Sequence, residues 1–158
     1  MVLQETYELL DTAFYDKATT GKSNSNWSNY NNNLQVTVGD EYTTLTGTVS
    51  NTNNRYNVPQ ESIPTPPFIV EFTNHGEFTE YNRFYIGDRN IILGTAWSGN
   101  LATANKIKFT VKNGLIYCEH DGITETTTQS YTNTDYLQFR ITTTGNPIKY
   151  SDFKVYPI

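Results

Sequence analysis

The chain has 158 residues and a net charge of −5, and its 11 Lys and Arg side chains are scattered. That balance excludes the concentrated basic patch that displaces counterions from nucleic acid, and it disfavours an anionic membrane surface for the same reason. Aromatic residues reach 14%, with 12 Tyr and 8 Phe, whereas charged residues are only 17%, a balance that favours half-buried pleated strands over helices.

At this length one domain over residues 1–158 can bury its own core without disulfides or metal staples. No apolar run approaches the length of a membrane span. The opening MVLQETYELL lacks the basic and apolar regions of a secretory signal, so the expectation is an excised segment of a surface protein or a virion component. Cys118 is the single cysteine. It shares a strand face with Ile116 and His120 and reads as a small buried filler, not a reactive thiol.

In chain order, residues 6–13 fit a short helix and a first strand equally well. Residues 19–33 form a polar, Asn- and Ser-rich loop that carries Trp27 and Tyr30. Leu34, Val36 and Val38 alternate, and residues 45–49 return around Gly39-Asp40 as a paired strand. Residues 51–67 hold most of the prolines and are expected to cross from one sheet to another. Phe68-Val70-Phe72 and Phe84-Ile86 read as two central strands, with another at 91–93. At Lys106–Lys112, Ile107, Phe109 and Val111 alternate with Lys108 and Thr110, which gives one dry and one wet face. Asn113-Gly114 then signals a type I′ hairpin turn, and Asp121-Gly122 a second tight turn. Leu137, Phe139 and Ile141 alternate with Tyr136, Gln138 and Arg140. In the last strand, 148–156, the apolar phase shifts between Tyr150 and Phe153, which predicts a bulge at Ser151-Asp152. No fixed-period repeat occurs. The pattern is an all-β antiparallel sandwich of about ten short strands with little or no helix.

The C-terminal half carries a further resemblance. A strand, the double hairpin NGLIYCEHDG, the strand YLQFRI and the closing IKYSDFKVYPI together resemble a concanavalin-type (lectin/glucanase-like) jelly-roll module, mainly from Phe68 onward. Such modules occur in lectins, carbohydrate-binding modules, adhesin-like surface proteins and phage tail proteins. The resemblance implies a jelly roll, a carbohydrate ligand, and room for a structural calcium near the chain ends.

Sugar binding needs flat aromatic faces together with amide and carboxylate partners for hydroxyls. Trp97, in GTAWSGN, is expected on a loop between glycines, and Trp27 and Tyr30 among asparagines. Tyr81, Arg83 and Tyr85 extend the candidate ligand set, although alternating aromatics on a strand also serve sheet packing. Asp16, Asp40 and Asp152 are the candidate calcium ligands, with solvated turn carboxylates as the plainer reading. His75 and His120 lack metal-type spacing. For glycoside hydrolysis the nearest carboxylates are Glu119, Asp121 and Glu125, but Gly122 places Asp121 in a turn and Glu125 beyond it. No G-x-S-x-G elbow or phosphate loop is present. Asn26-Trp27-Ser28 matches an N-glycosylation acceptor.

These readings converge on a non-catalytic carbohydrate-binding or adhesion module of a cell-surface or viral tail protein. It would be extracellular or on a virion surface, would bind cell-surface carbohydrate, and would be open to homo-oligomer formation. A structural or assembly module is the alternative, with a glycoside hydrolase behind it.

Overall fold

The computed structural model describes residues 13–19, 27–30, 33–49, 54–91, 97, 100–132 and 136–158. In chain order the strands are β1 (Phe14–Asp16), β2 (Ser28–Tyr30), β3 (Leu34–Val38), β4 (Thr43–Gly47), β5 (Asn54–Asn57), β6 (Phe68–Asn74) and β7 (Asn82–Ile86). They continue as β8 (Arg89–Asn90), β9 (Lys106–Lys112), β10 (Leu115–His120), β11 (Ile123–Thr124), β12 (Gln129–Ser130), β13 (Leu137–Ile141) and β14 (Ile148–Pro157). The helical content among the described residues is two short 3-10 turns, Gln60–Ser62 and Leu101–Thr103. No helix among them is long and apolar enough to cross a membrane. The element read at residues 6–13 lies outside the described residues apart from Ala13.

The strands form two antiparallel sheets packed as a sandwich. Among the described residues the large sheet has nine strands in the order β11-β10-β9-β6-β14-β4-β3, with β1 added on β14 and β12 on β10, and the small sheet has five in the order β2-β5-β13-β7-β8. The proline-rich stretch does cross between sheets, and it does so twice. It leaves β4 in the large sheet, contributes β5 to the small one, and returns through the 3-10 turn to β6 in the large sheet.

Local chemistry accounts for the sharpest features. Asn113 and Gly114 adopt φ of 52° and 72°, the left-handed pair that a two-residue I′ turn needs. They join β9 to β10 in register from Leu115 opposite Lys112 to His120 opposite Ile107. The phase shift in the last strand is a bulge: pairing with β6 slips between Ser151 and Lys154, and Asp152 sits at φ 49°. The slip lets Tyr150 and Phe153 both face inward, at 0% exposure.

β14 runs through the middle of the large sheet between β6 and β4. Across from it, Leu137, Phe139 and Ile141 fill the inner face of β13 at no more than 1% exposure. The Phe139 ring lies 5.4 Å from Phe72, 5.1 Å from Phe84, 5.7 Å from Phe153 and 5.0 Å from Tyr150. Burying one such ring is worth about 1.5–3 kcal/mol. The contacts across both sheets make Phe139→Ala a cavity of about 3–5 kcal/mol.

Candidate functional site

Of the two tryptophans expected on loops, Trp97 belongs to the core and the half-buried Trp27 packs against it. Trp97 is 8% exposed, its Nε1 donates to the Ile91 carbonyl at 2.6 Å, and its ring lies 6.4 Å from Phe109. Small flanking residues do not display this indole. Trp27 stacks on Tyr56 at 4.6 Å and meets Phe14, Phe139, Tyr150 and Phe153 edge-on or tilted. It closes one end of the core. Tyr30 ends β2 opposite Arg55; its side chain, like Asn26 of the glycosylation pattern, lies outside the described residues.

The expected calcium ligands do not converge. Among the described residues no group of three or more His, Cys, Asp or Glu could hold a metal ion. Asp16 is 3% exposed, and its oxygens accept from Ala18 N at 2.7 Å, Trp27 Nε1 at 2.7 Å and Tyr150 Oη at 2.8 Å. A carboxylate so surrounded by donors is a structural anchor. Asp40 lies exposed in the β3–β4 turn, and Asp152 occupies the bulge of β14.

The carboxylates weighed for hydrolysis also part company. Glu125 turns inward to His120, 2.8 Å away. Glu119 faces outward to Lys108 at 3.3 Å. Asp121 accepts from Asn105 N at 3.0 Å and Lys106 N at 2.7 Å. Those backbone donors hold its pKa below the usual carboxylate value, the reverse of what a general acid needs. Ser151 Oγ lies 2.7 Å from His75 Nε2, but no carboxylate hydrogen-bonds that ring among the described residues.

Two outer faces remain. On the large sheet, a groove of about 390 Å³ is lined by Glu71, Lys108, Glu119, Asp121, Asp152 and Lys154, among others. Its cross-strand register sets Lys154 opposite Glu71, Glu71 opposite Lys108, and Lys108 opposite Glu119. Cations and anions alternate, so this face neutralises itself.

The small sheet gathers the arginines. Each arginine of the chain lies on it: Arg55 on β5, Arg83 on β7, Arg89 on β8 and Arg140 on β13. The strand-borne lysines among the described residues lie on β9 and β14 of the large sheet. Because Asn82, Phe84, Ile86, Leu137, Phe139 and Ile141 point inward, the pleat turns Tyr81, Arg83, Tyr85, Tyr136, Gln138 and Arg140 outward. Register then places Arg140 directly between Arg55 and Arg83, and Gln138 between Asn57 and Tyr85. Arginine stands beside arginine across neighbouring strands, an arrangement that costs a few tenths to about 1 kcal/mol per pair in an isolated sheet.

The row is held in place by neutral groups. The Arg140 guanidinium lies 4.1 Å from the Tyr85 ring centroid, and its Nε and Nη2 donate to Gln138 Oε1 at 3.3 and 3.2 Å. Arg83 donates from Nη1 to Tyr85 Oη at 3.3 Å and from Nε to the Glu80 carbonyl. Among the described residues no carboxylate forms an ion pair with Arg83 or Arg140. Burial, then the charges of Arg55 and Arg83, draws the Arg140 pKa down. Tyr81 and Tyr136, 43% and 46% exposed, stand at opposite ends of this face. Of the expected ligand residues, Tyr81, Arg83 and Tyr85 therefore come together here. They are joined by Arg55, Arg140, Gln138 and Tyr136, which strand register brings alongside.

Neither a protein-family model, nor a curated protein, nor a solved structure matches the chain.

Proposed function

We propose that the chain is a non-catalytic carbohydrate-binding or adhesion module of a cell-surface or viral tail protein, and that it holds its ligand on the outer face of the small sheet. The observation that carries this reading is the grouping of Arg83, Arg140 and Tyr85 on one solvent-facing surface, with exposed Tyr81 and Tyr136 at its ends. Tyrosine rings offer apolar platforms for sugar faces, and guanidinium forks offer donors to hydroxyl and acidic oxygens. The strand-and-turn likeness to concanavalin-type jelly rolls agrees with it. A single shallow face gives weak binding, so useful adhesion would come from repeated copies.

A glycan array tests the reading. The chain should bind a subset of glycans, and Tyr85→Ala and Arg83→Ala should each abolish most of the signal while Lys108→Ala leaves it intact. A folded chain that binds no glycan sinks the proposal.

An assembly module is the second reading, favoured by one observation. Among the described residues β3 ends the large sheet, and its Val36 and Val38 are 37% and 49% exposed, the kind of edge that pairs with another chain. Light scattering that finds a stable oligomer, dispersed by Val38→Lys, would favour it.

A further inference from the structure

We infer that the ligand of the small-sheet face is an anionic glycan, whose carboxylate or sulfate groups lie across the neighbouring Arg140 and Arg83 while its sugar rings rest on Tyr81 and Tyr136. This rests on the carbohydrate reading above and narrows it.

The sequence places its basic side chains in two different ways. Lysines alternate with glutamates on the large sheet, so that each charge has an opposite neighbour. Arginines stand abreast on the small sheet, and the contacts that fix Arg140 and Arg83 are to a ring, an amide, a phenol and a carbonyl. These contacts orient the guanidiniums without neutralising them. An anion placed along the row removes the repulsion between neighbours and gains charge-assisted, forked hydrogen bonds at once.

A second observation points to a polar ligand at the same place. In the adjacent row Gln138 is 0% exposed, yet its Nε2 has no hydrogen-bond partner, and neither has Asn57 Oδ1 directly across from it. A donor on Gln138, whose Oε1 the Arg140 guanidinium holds, and an acceptor on the facing Asn57 thus have hydrogen-bonding capacity that the protein leaves unused. The exposed tyrosines at both ends favour a sugar chain over a bare phosphate backbone, and the acidic charge of the whole molecule opposes a long nucleic acid.

The test is isothermal titration of the full chain with paired probes: oligogalacturonate against its neutral methyl ester, a dextran sulfate oligosaccharide against unsulfated dextran of the same length, and single-stranded DNA of matched charge. The expected result is at least a tenfold tighter Kd for a charged member than for its neutral counterpart. Which pair shows the preference identifies carboxylate or sulfate. Affinity should weaken several-fold as salt rises from about 0.05 to about 0.5 M. Arg83→Gln should cost about tenfold, and Arg140→Lys, which keeps the charge but loses the fork, should also weaken binding. If Arg140→Lys fails to fold, Arg83→Gln on the more accessible strand still decides. Equal binding of charged and neutral partners would overturn the anionic assignment and leave the carbohydrate reading standing. Binding to neither kind of glycan, or to DNA more tightly than to both, would overturn the two together.

Discussion

Trp27 Nε1 donates to Asp16 Oδ2 at 2.7 Å, which joins the first two strands beneath the aromatic cluster that closes the sandwich. Tyr150 Oη reaches the same oxygen from β14 at 2.8 Å. Removing the indole donor while keeping an aromatic ring leaves a buried carboxylate short of one partner. Trp27→Phe should therefore cost about 1.5–3 kcal/mol, and Trp27→Ala, which also opens a cavity, about 3–5 kcal/mol. Urea unfolding followed by circular dichroism measures both. An unchanged midpoint for Trp27→Ala would mean that the ring does not pack as described.

Stability and binding should move in opposite directions at the arginine row. Arg83→Gln relieves like-charge crowding against Arg140, so it should leave the fold unchanged or stabilise it by a few tenths to about 1 kcal/mol. Glycan binding should fall. A variant that loses stability and binding in proportion would show that Arg83 acts on the fold alone; thermal melts read alongside titrations separate the cases.

Alkaline unfolding should be steep. Burial pushes Tyr56 up to about 12, with the Asp16 charge adding to it. Burial also raises Tyr156 to about 12, helped by Glu71, and Cys118 from 9.0 to about 12, helped by Glu125 and Glu119. Tyr150 is raised well above its ordinary value, again mainly by burial. Each group is held neutral in the folded state, so its contribution is complete below its unfolded pKa and is lost as pH rises through the folded one. Melting temperature should hold steady to about pH 9 and then fall between about 9 and 12. Cys118, 1% exposed, should resist a thiol reagent at pH 8 and react at once in denaturant. Rapid labelling of the native chain would contradict its placement.

Two glycines separate space from backbone. A Cβ at Gly114 meets nothing within 4 Å, but its φ is +72°, so Gly114→Ala should cost about 1–2 kcal/mol through left-handed strain. A Cβ at Gly47 comes within 2.8 Å of both Asn54 Nδ2 and the Thr143 carbonyl. Because a backbone oxygen cannot move aside cheaply, Gly47→Ala should be the more damaging. Comparing denaturation midpoints settles the order.

What the sequence shows depends on the range over which each feature is decided. The I′ turn at Asn113-Gly114, the alternation of Ile107, Phe109 and Val111, and the bulge at Asp152 are local, and each is legible in a few residues. Exposure of Trp27 and Trp97 is not local. Polar and small neighbours suggested display, but Tyr56, Phe139 and the Ile91 carbonyl supply the burial. Arg83 and Tyr85 were recognisable as a pair two residues apart, whereas Arg55 and Arg140 join them only through register across β5, β13 and β7. The available hint was phase: NRFYI and LQFRI each set an arginine opposite to the inward-facing apolar residues.

The position of β14 bears on how the molecule is made. It carries residues 148–157 and separates β6 from β4, while β1 also pairs with it. During translation the earlier strands therefore emerge with a gap where their shared neighbour belongs, and the long-range pairing of Phe14 with Val155 must wait for nearly all of these residues to leave the ribosome. A nascent chain stalled before residue 148 would present unpaired edges on both sides of that gap, which makes it a natural client for chaperones.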